Sequence, residues 1–370
     1  MRYIIQLSTG SFEKSSVKAA DVLQKLELCC RHLRPEKLIF GWAPDVELNR
    51  MICKFSVEQG MESYLWLPVF AEIQDFAKVR INRKITRDKE KAFNTDSGDK
   101  FEFACQSDVL ALKRAEEVFD KMTDGCVVNG VFLDRIRYAS PAVSGNAIYG
   151  CWCPHCQNTY QSCGVATEKI QEMAGNCDLE KFIPKERHGM AYRFADQNVD
   201  RLMEAKRTVI SRQVSQLCGA FRKRGLKIGI DTFAPAIADF VGQDLPALGK
   251  QADFVKPMVY LRTNAPAGLP FELKGLGEAV KKKLDQLWGG PVDTITNVVK
   301  QICLLKDMGI AVTPGIDVNE IEGICGADRN YVRAFIEELG KAGCDTVVLS
   351  WDAMRISREM TETLGTLREL

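Results

Sequence analysis

Eight short apolar runs recur along this chain, and segments with helical spacing separate most of them. The runs are Tyr3 to Leu7, Leu38 to Trp42, Ser63 to Leu67, Val127 to Leu133, Leu226 to Asp231, Asp253 to Tyr260, Ile310 to Asp317 and Asp345 to Asp352. A short apolar run reads as a buried strand. Helices are expected over Ser15 to Leu33, Glu47 to Gln59, Asp108 to Met122, Met190 to Lys223, Thr294 to Met308 and Asn330 to Lys341. Strands alternating with helices through one uninterrupted chain predict a single α/β unit over residues 1–370, a (β/α)8 TIM barrel. A doubly wound open sheet is the rival, but no Gly-x-Gly-x-x-Gly follows the first run. A length of 370 residues suits a barrel with insertions, and 46% apolar residues can fill its core.

Composition removes some function classes. A formal net charge of +1 gives no reason to expect nucleic acid. No apolar run reaches the 18 residues a membrane helix needs, and the first strand is too short for a signal sequence. Fourteen cysteines without such a signal point to a reducing, cytoplasmic setting in which most are free thiols. Self-association is left open.

In a barrel of this kind the active site lies at the C-terminal ends of the strands. Those ends carry Trp42, Trp66, Asp134, Arg137, Asp231, Tyr260, Arg262, Asp317, Trp351 and Asp352. Carboxylates and aromatic rings together suit a sugar: rings stack on the apolar faces of pyranoses, and paired carboxylates supply acid and nucleophile or base. Asp134, Asp231 and Asp317 are the candidate catalytic carboxylates, and the others are candidate substrate contacts. The fourth run changes abruptly from apolar to charged at Asp134, and Arg137 is expected to keep that carboxylate ionised. The ordinary alternative is structural, since a strand-end Asp often caps a helix or pairs with an arginine, and Arg135 and Arg137 could hold Asp134 that way. Arg355 stands close to Asp352 in that sense.

Two further segments stand out. Pro68 to Ser107 is a long polar excursion after the third strand, expected to cover the barrel mouth and help select substrate; a solvated surface insertion is the alternative. After the fourth strand, Cys151, Cys153 and Cys156 have C-x-C-x-x-C spacing, and three thiolates this close can converge on one tetrahedral ion. A fourth ligand must come from elsewhere, with His155 and Cys163 as local alternatives.

Gly130-Val131-Phe132-Leu133-Asp134-Arg135-Ile136-Arg137-Tyr138 resembles the fourth strand of uncharacterised glycoside hydrolase barrels, and Lys256-Pro257-Met258-Val259-Tyr260 resembles their sixth. The resemblance implies a glycoside hydrolase acting on a small soluble glycoside or oligosaccharide, without naming the sugar. The cysteine loop is similar to the zinc site of certain barrel β-galactosidases, where a further cysteine comes from the region after strand three. That likeness implies Cys105 as the fourth ligand of a structural zinc. The chain departs from other glycosidase barrels. It lacks the Asn-Glu pair that many retaining β-glycosidases place on strand four, and the Asp-x-x-Asp-x-Asp-x-Glu of chitinase-like barrels. Two other functions compete. One is a lyase or aldolase-like enzyme using Lys256 as a Schiff base, although Lys256 is expected too deep or on the outer face. The other is a carbohydrate-binding barrel without catalysis.

Overall fold

The computed structural model describes residues 1–10, 17–71, 92–94, 100–143, 145–176 and 179–369. Eight parallel strands close into a barrel: β1 Arg2–Ser8, β2 Lys37–Gly41, β3 Glu62–Pro68, β4 Gly130–Asp134, β5 Lys227–Phe233, β6 Phe254–Met258, β7 Gly315–Asp317 and β8 Thr346–Ser350. Each strand pairs with its neighbours in sequence, and β8 returns to β1 with Tyr3 opposite Val347 and Ile5 opposite Leu349. This is the expected (β/α)8 barrel. The expected helix starts hold where a cap is built. Asp108 accepts from Leu110 N at 3.2 Å to open the helix Val109–Met122, and Thr294 accepts from Asn297 N at 3.3 Å to open Ile295–Asp307.

Two expected elements differ. The helix expected from Met190 begins only at Gln197, capped by Asp196, and runs to Lys223. Before it the chain forms an antiparallel hairpin of Pro184–His188 with Ala191–Phe194. Met190, Tyr192 and Phe194 are buried on alternate positions, the period of a strand. The seventh strand is shorter than Ile310 to Asp317. Pro314 has no N–H to give a ladder, and only an isolated bridge from Val312 to Val255 precedes it. Residues 72–91 and 95–99 lie outside the described residues, and with them the expectation that Pro68 to Ser107 covers the mouth.

Side chains two apart on a strand share a face, so the barrel interior builds in layers. Ile4, Ile39, Tyr64, Phe132, Phe254 and Val348 pack into an apolar plug, with Trp66 in the same cluster. Two residues further along the strands come Gln6, Trp66, Asp134, Lys256 and Ser350, joined by Asp231 two residues past Gly229. The plug is possible because Gly229 has no side chain: a Cβ there would run into Phe132 and Phe254. Gly315 does the same for Lys256, whose Cε a Cβ would overlap. Gly315→Ala should therefore cost about 1–3 kcal/mol through overpacking and displace the Lys256 ammonium. A urea midpoint equal to that of the parent protein would show that the lysine does not cross the barrel at Gly315.

Candidate functional site

Asp134 closes β4 and is 6% exposed. Both its oxygens meet N–H donors: Trp66 Nε1 donates to Oδ2 at 3.0 Å, and Arg135 N donates to Oδ1 at 2.5 Å. Trp66 is thus buried beneath the carboxylate as its orienting donor, while Trp42 is half-buried and meets the Trp66 ring edge-on at 5.2 Å. The cation beside Asp134 is Arg135, with Nε 4.0 Å from Oδ2 and its guanidinium 5.8 Å from the Trp42 ring. The left-handed backbone of Arg135, φ +55°, turns the chain immediately after the carboxylate.

The centre of the polar layer is Lys256. It is 0% exposed and points into the barrel, so of the two expected placements, too deep or on the outer face, the first holds. Its Nζ donates to Gln6 Oε1 at 2.9 Å, Asp231 Oδ2 at 3.1 Å and Tyr260 Oη at 2.7 Å. Asp231 is buried, and its second oxygen, Oδ1, has no partner among the described residues. Burial drives the Asp231 carboxyl up to about 7; Lys256 opposes the rise and the charge of Asp134 adds to it. With Oδ2 taken by the lysine, the proton of the neutral form belongs on Oδ1. Burial and the neighbouring Asp231 charge likewise push the Tyr260 phenol well above its usual range.

The remaining expected residues are placed differently. Arg137 is buried, with its guanidinium over the rings of Phe233 at 4.4 Å and Phe103 at 5.3 Å, and donates to Tyr138 O at 3.0 Å. Its charge bears on the buried Glu272, which accepts from Ser140 Oγ and from Ala267 N. Asp317 is fully buried and saturated with donors: Tyr331 Oη at 2.6 Å on Oδ1, and Arg262 N at 2.7 Å and Thr263 Oγ1 at 3.0 Å on Oδ2. It ties the loops after β6 and β7 together. Arg262 itself is exposed, with its guanidinium 5.0 Å from the Tyr331 ring. Asp352 accepts from Ser8 N at 3.2 Å and Met354 N at 3.1 Å, with Arg355 Nε 3.6 Å away, and so links β1 to the turn after β8. Trp351 is half-buried, and its indole N–H has no partner among the described residues. Gln6 and Ser350 belong to the polar layer and were not expected. Their signal in the sequence is faint: a polar residue near the end of an apolar run.

The cysteines do converge. Cys105, Cys151, Cys153 and Cys156 are buried, and their sulfurs lie within 4.8 Å of one another. Cys105 Sγ is 3.3 Å from Cys156 Sγ and 3.8 Å from Cys153 Sγ. Four thiolates at about 2.3 Å from a tetrahedral zinc would stand about 3.8 Å apart, so the set fits such an ion. His155 and Cys163, the alternative ligands, are exposed. Local structure explains the convergence. Gly150, φ +77°, bends the chain against Tyr138 and Tyr160, where a Cβ would find Tyr160 Oη at 2.8 Å. Cys153 then opens the helix Pro154–Ser162, whose first turn carries Cys156 and whose N-terminal end favours anionic sulfur. Cys105 is fixed from the other side, where Ala104 N donates to Phe70 O at 2.7 Å. The adjoining Gln106 donates to Arg137 O at 3.3 Å, three residues beyond Asp134.

No family model matches the sequence, and no curated protein matches it. Solved structures do share the fold. The PgaB (BpsB) glycoside hydrolase domain from Bordetella bronchiseptica is similar with a TM-score of 0.64 and 12% identity, covering 100% of this chain and 99% of that one. The alpha-L-fucosidase isoenzyme 2 from Paenibacillus thiaminolyticus gives 0.57 and 12%, with 100% of this chain matched to 48% of that larger one. The Group IV chitinase of Ostrinia furnacalis gives 0.52 and 9%, with full coverage of both chains. At these identities the likeness is one of fold.

Proposed function

We propose that this barrel is a glycoside hydrolase in which Asp134 and Asp231 are the working carboxyls. The observation that carries the reading is the contrast between them. Asp134 has N–H donors on both oxygens and suits the anionic role of nucleophile or base. Asp231 is a buried acid held up to about 7, with Oδ2 on Lys256 and Oδ1 unpaired among the described residues. A carboxyl that burial keeps protonated, beside a second carboxyl held by N–H donors, is the usual arrangement for an acid/base division of labour. In the reaction, Asp231 passes its proton to the departing glycosidic oxygen. Asp134 attacks the anomeric carbon or takes the proton of the water that does. Tyr260 and Trp351 would orient the sugar. The shared fold with glycoside hydrolases supports the reading without identifying the substrate.

The pH dependence follows with a definite sign. A raised carboxyl keeps its proton up to about 7, and the acid is lost above it. So kcat/KM on a cleaved glycoside should fall about tenfold per pH unit on the alkaline side of that value. Asp231→Asn should remove this limb and most of the activity. A rate that stays flat to pH 9 would exclude Asp231 as the acid.

The rival Schiff-base reading gains from the inward placement of Lys256. It loses more from the three acceptors around the nitrogen, because an ammonium donating to Gln6, Asp231 and Tyr260 has no lone pair for a carbonyl. The thiolate centre is proposed as a zinc site held by Cys105, Cys151, Cys153 and Cys156. When bound, the ion would supply structure only, since four protein ligands leave no open position.

A further inference from the structure

Gln6 has no role in the division of labour between Asp134 and Asp231, yet it sits in the same layer. It is 0% exposed, on β1, and the Lys256 side chain links it to Asp231 on β5. Its Oε1 accepts from Lys256 Nζ at 2.9 Å and from Ser350 Oγ at 3.3 Å. An ammonium can only donate, so the amide orientation is fixed with oxygen towards the lysine and nitrogen away from it. Nε2 then has no acceptor among the described residues. Buried amide N–H groups are almost always paired, because one left unpaired keeps the full cost of losing water. Asp231 Oδ1, joined to Gln6 through the same lysine, is unpaired as well. Two unpaired polar atoms on one buried network point to a ligand and not to a local packing fault.

The direction of approach is restricted. Beneath this layer Ile4, Ile39, Tyr64, Phe132, Phe254 and Val348 pack the barrel with apolar side chains. Among the described residues that side offers these two unpaired atoms no polar partner, so a partner must come from the mouth. We infer that Gln6 Nε2 is a substrate-recognising donor, held by Lys256 and Ser350, that binds a hydroxyl oxygen of the sugar whose glycosidic bond is cleaved. This rests on the glycoside hydrolase reading and deepens it, since it makes the enzyme selective for a hydroxyl at one ring position. Gln6 is thereby a specificity residue, while the proton transfer remains with Asp231.

The test pairs a protein change with a substrate change. Wild type and Gln6→Met are assayed on an aryl glycoside that the wild type cleaves and on its singly deoxygenated analogues. In the wild type, loss of one particular hydroxyl should lower kcat/KM about tenfold. In Gln6→Met that same deletion should make no difference, while the other positions keep their effects. Equal dependence on every hydroxyl in both proteins would overturn the inference. If the methionine variant does not fold, Gln6→Glu keeps the acceptor facing Lys256 and replaces the N–H donor, and the same comparison applies. If the wild type cleaves no glycoside or oligosaccharide at all, the glycosidase reading fails separately. A crystal structure of the full chain then decides about Gln6: an ordered water on Nε2 at the mouth side supports a ligand-facing donor, and an Nε2 bonded to a protein acceptor overturns it.

Discussion

Asp134→Asn should leave a folded protein whose kcat is lower by about 10²- to 10⁴-fold, the scale expected when an acid–base or nucleophilic carboxylate is removed. The amide is nearly isosteric but has a single acceptor oxygen. It can accept from Trp66 Nε1 or from Arg135 N, and its NH2 group must then face the other donor. That mismatch should cost about 1 kcal/mol of stability, too little to unfold the barrel. The loss of turnover should therefore come with an almost unchanged circular dichroism spectrum and nearly unchanged sugar affinity. Asp134→Ala offers a second readout. It opens a space where a small anion such as formate can stand in for the carboxylate, so partial rescue by formate would show that the missing group acts chemically. A normal kcat for Asp134→Asn would remove Asp134 from the mechanism. Loss of turnover and fold together would make it a structural residue.

The second large effect concerns the thiolate centre. Reduced, purified protein should carry about one zinc per chain, and Cys153→Ser should lose it. A metal that organises two separate loops contributes its binding energy to folding. Loss of the site should cost on the order of 5 kcal/mol, which for a chain of this size lowers Tm by roughly 6 °C. Activity should fall with it, for a geometric reason. Cys105 precedes Gln106, whose amide holds the backbone of Arg137, and Cys151 ends the loop that begins at Asp134. Releasing the sulfurs loosens both ends of that segment. Elemental analysis that finds no metal in the reduced protein would end the zinc proposal, and an unchanged Tm in Cys153→Ser would end its structural role.

The barrel was legible because its strands are short apolar runs bounded by polar turns, a local property. Where the sequence misled, the deciding contact was distant. The segment from Met190 reads as a continuation of the following helix until the alternate burial of Met190, Tyr192 and Phe194 is noticed. Asp317 looks like Asp134, a carboxylate at a strand end, yet its donors include Tyr331 and Thr263, which lie 14 and 54 residues away in sequence. Arg135 and Arg137 were both expected as partners for Asp134, and the left-handed turn at Arg135 gives that place to Arg135. Lys256 and Gln6 were hidden for another reason. Strand periodicity says which residues share a face, not which face is inside. The glycine at 315, far along the chain, makes room for a lysine in the barrel centre. The four-cysteine set was the opposite case. Its spacing brought three cysteines together, and the fourth was suggested by likeness alone until the geometry brought Cys105 to them.

The most direct measurement is a proton NMR screen of a glycoside and oligosaccharide library with the full chain at neutral pH, followed from the first minutes. The account predicts that at least one compound loses its glycosidic anomeric signal and gives a free sugar with the wild type, and stays intact with Asp134→Asn. The anomer formed first would also report retention or inversion, and so whether Asp134 attacks the sugar or activates water. A folded wild-type protein that binds sugars in the same screen and cleaves none of them would contradict the account.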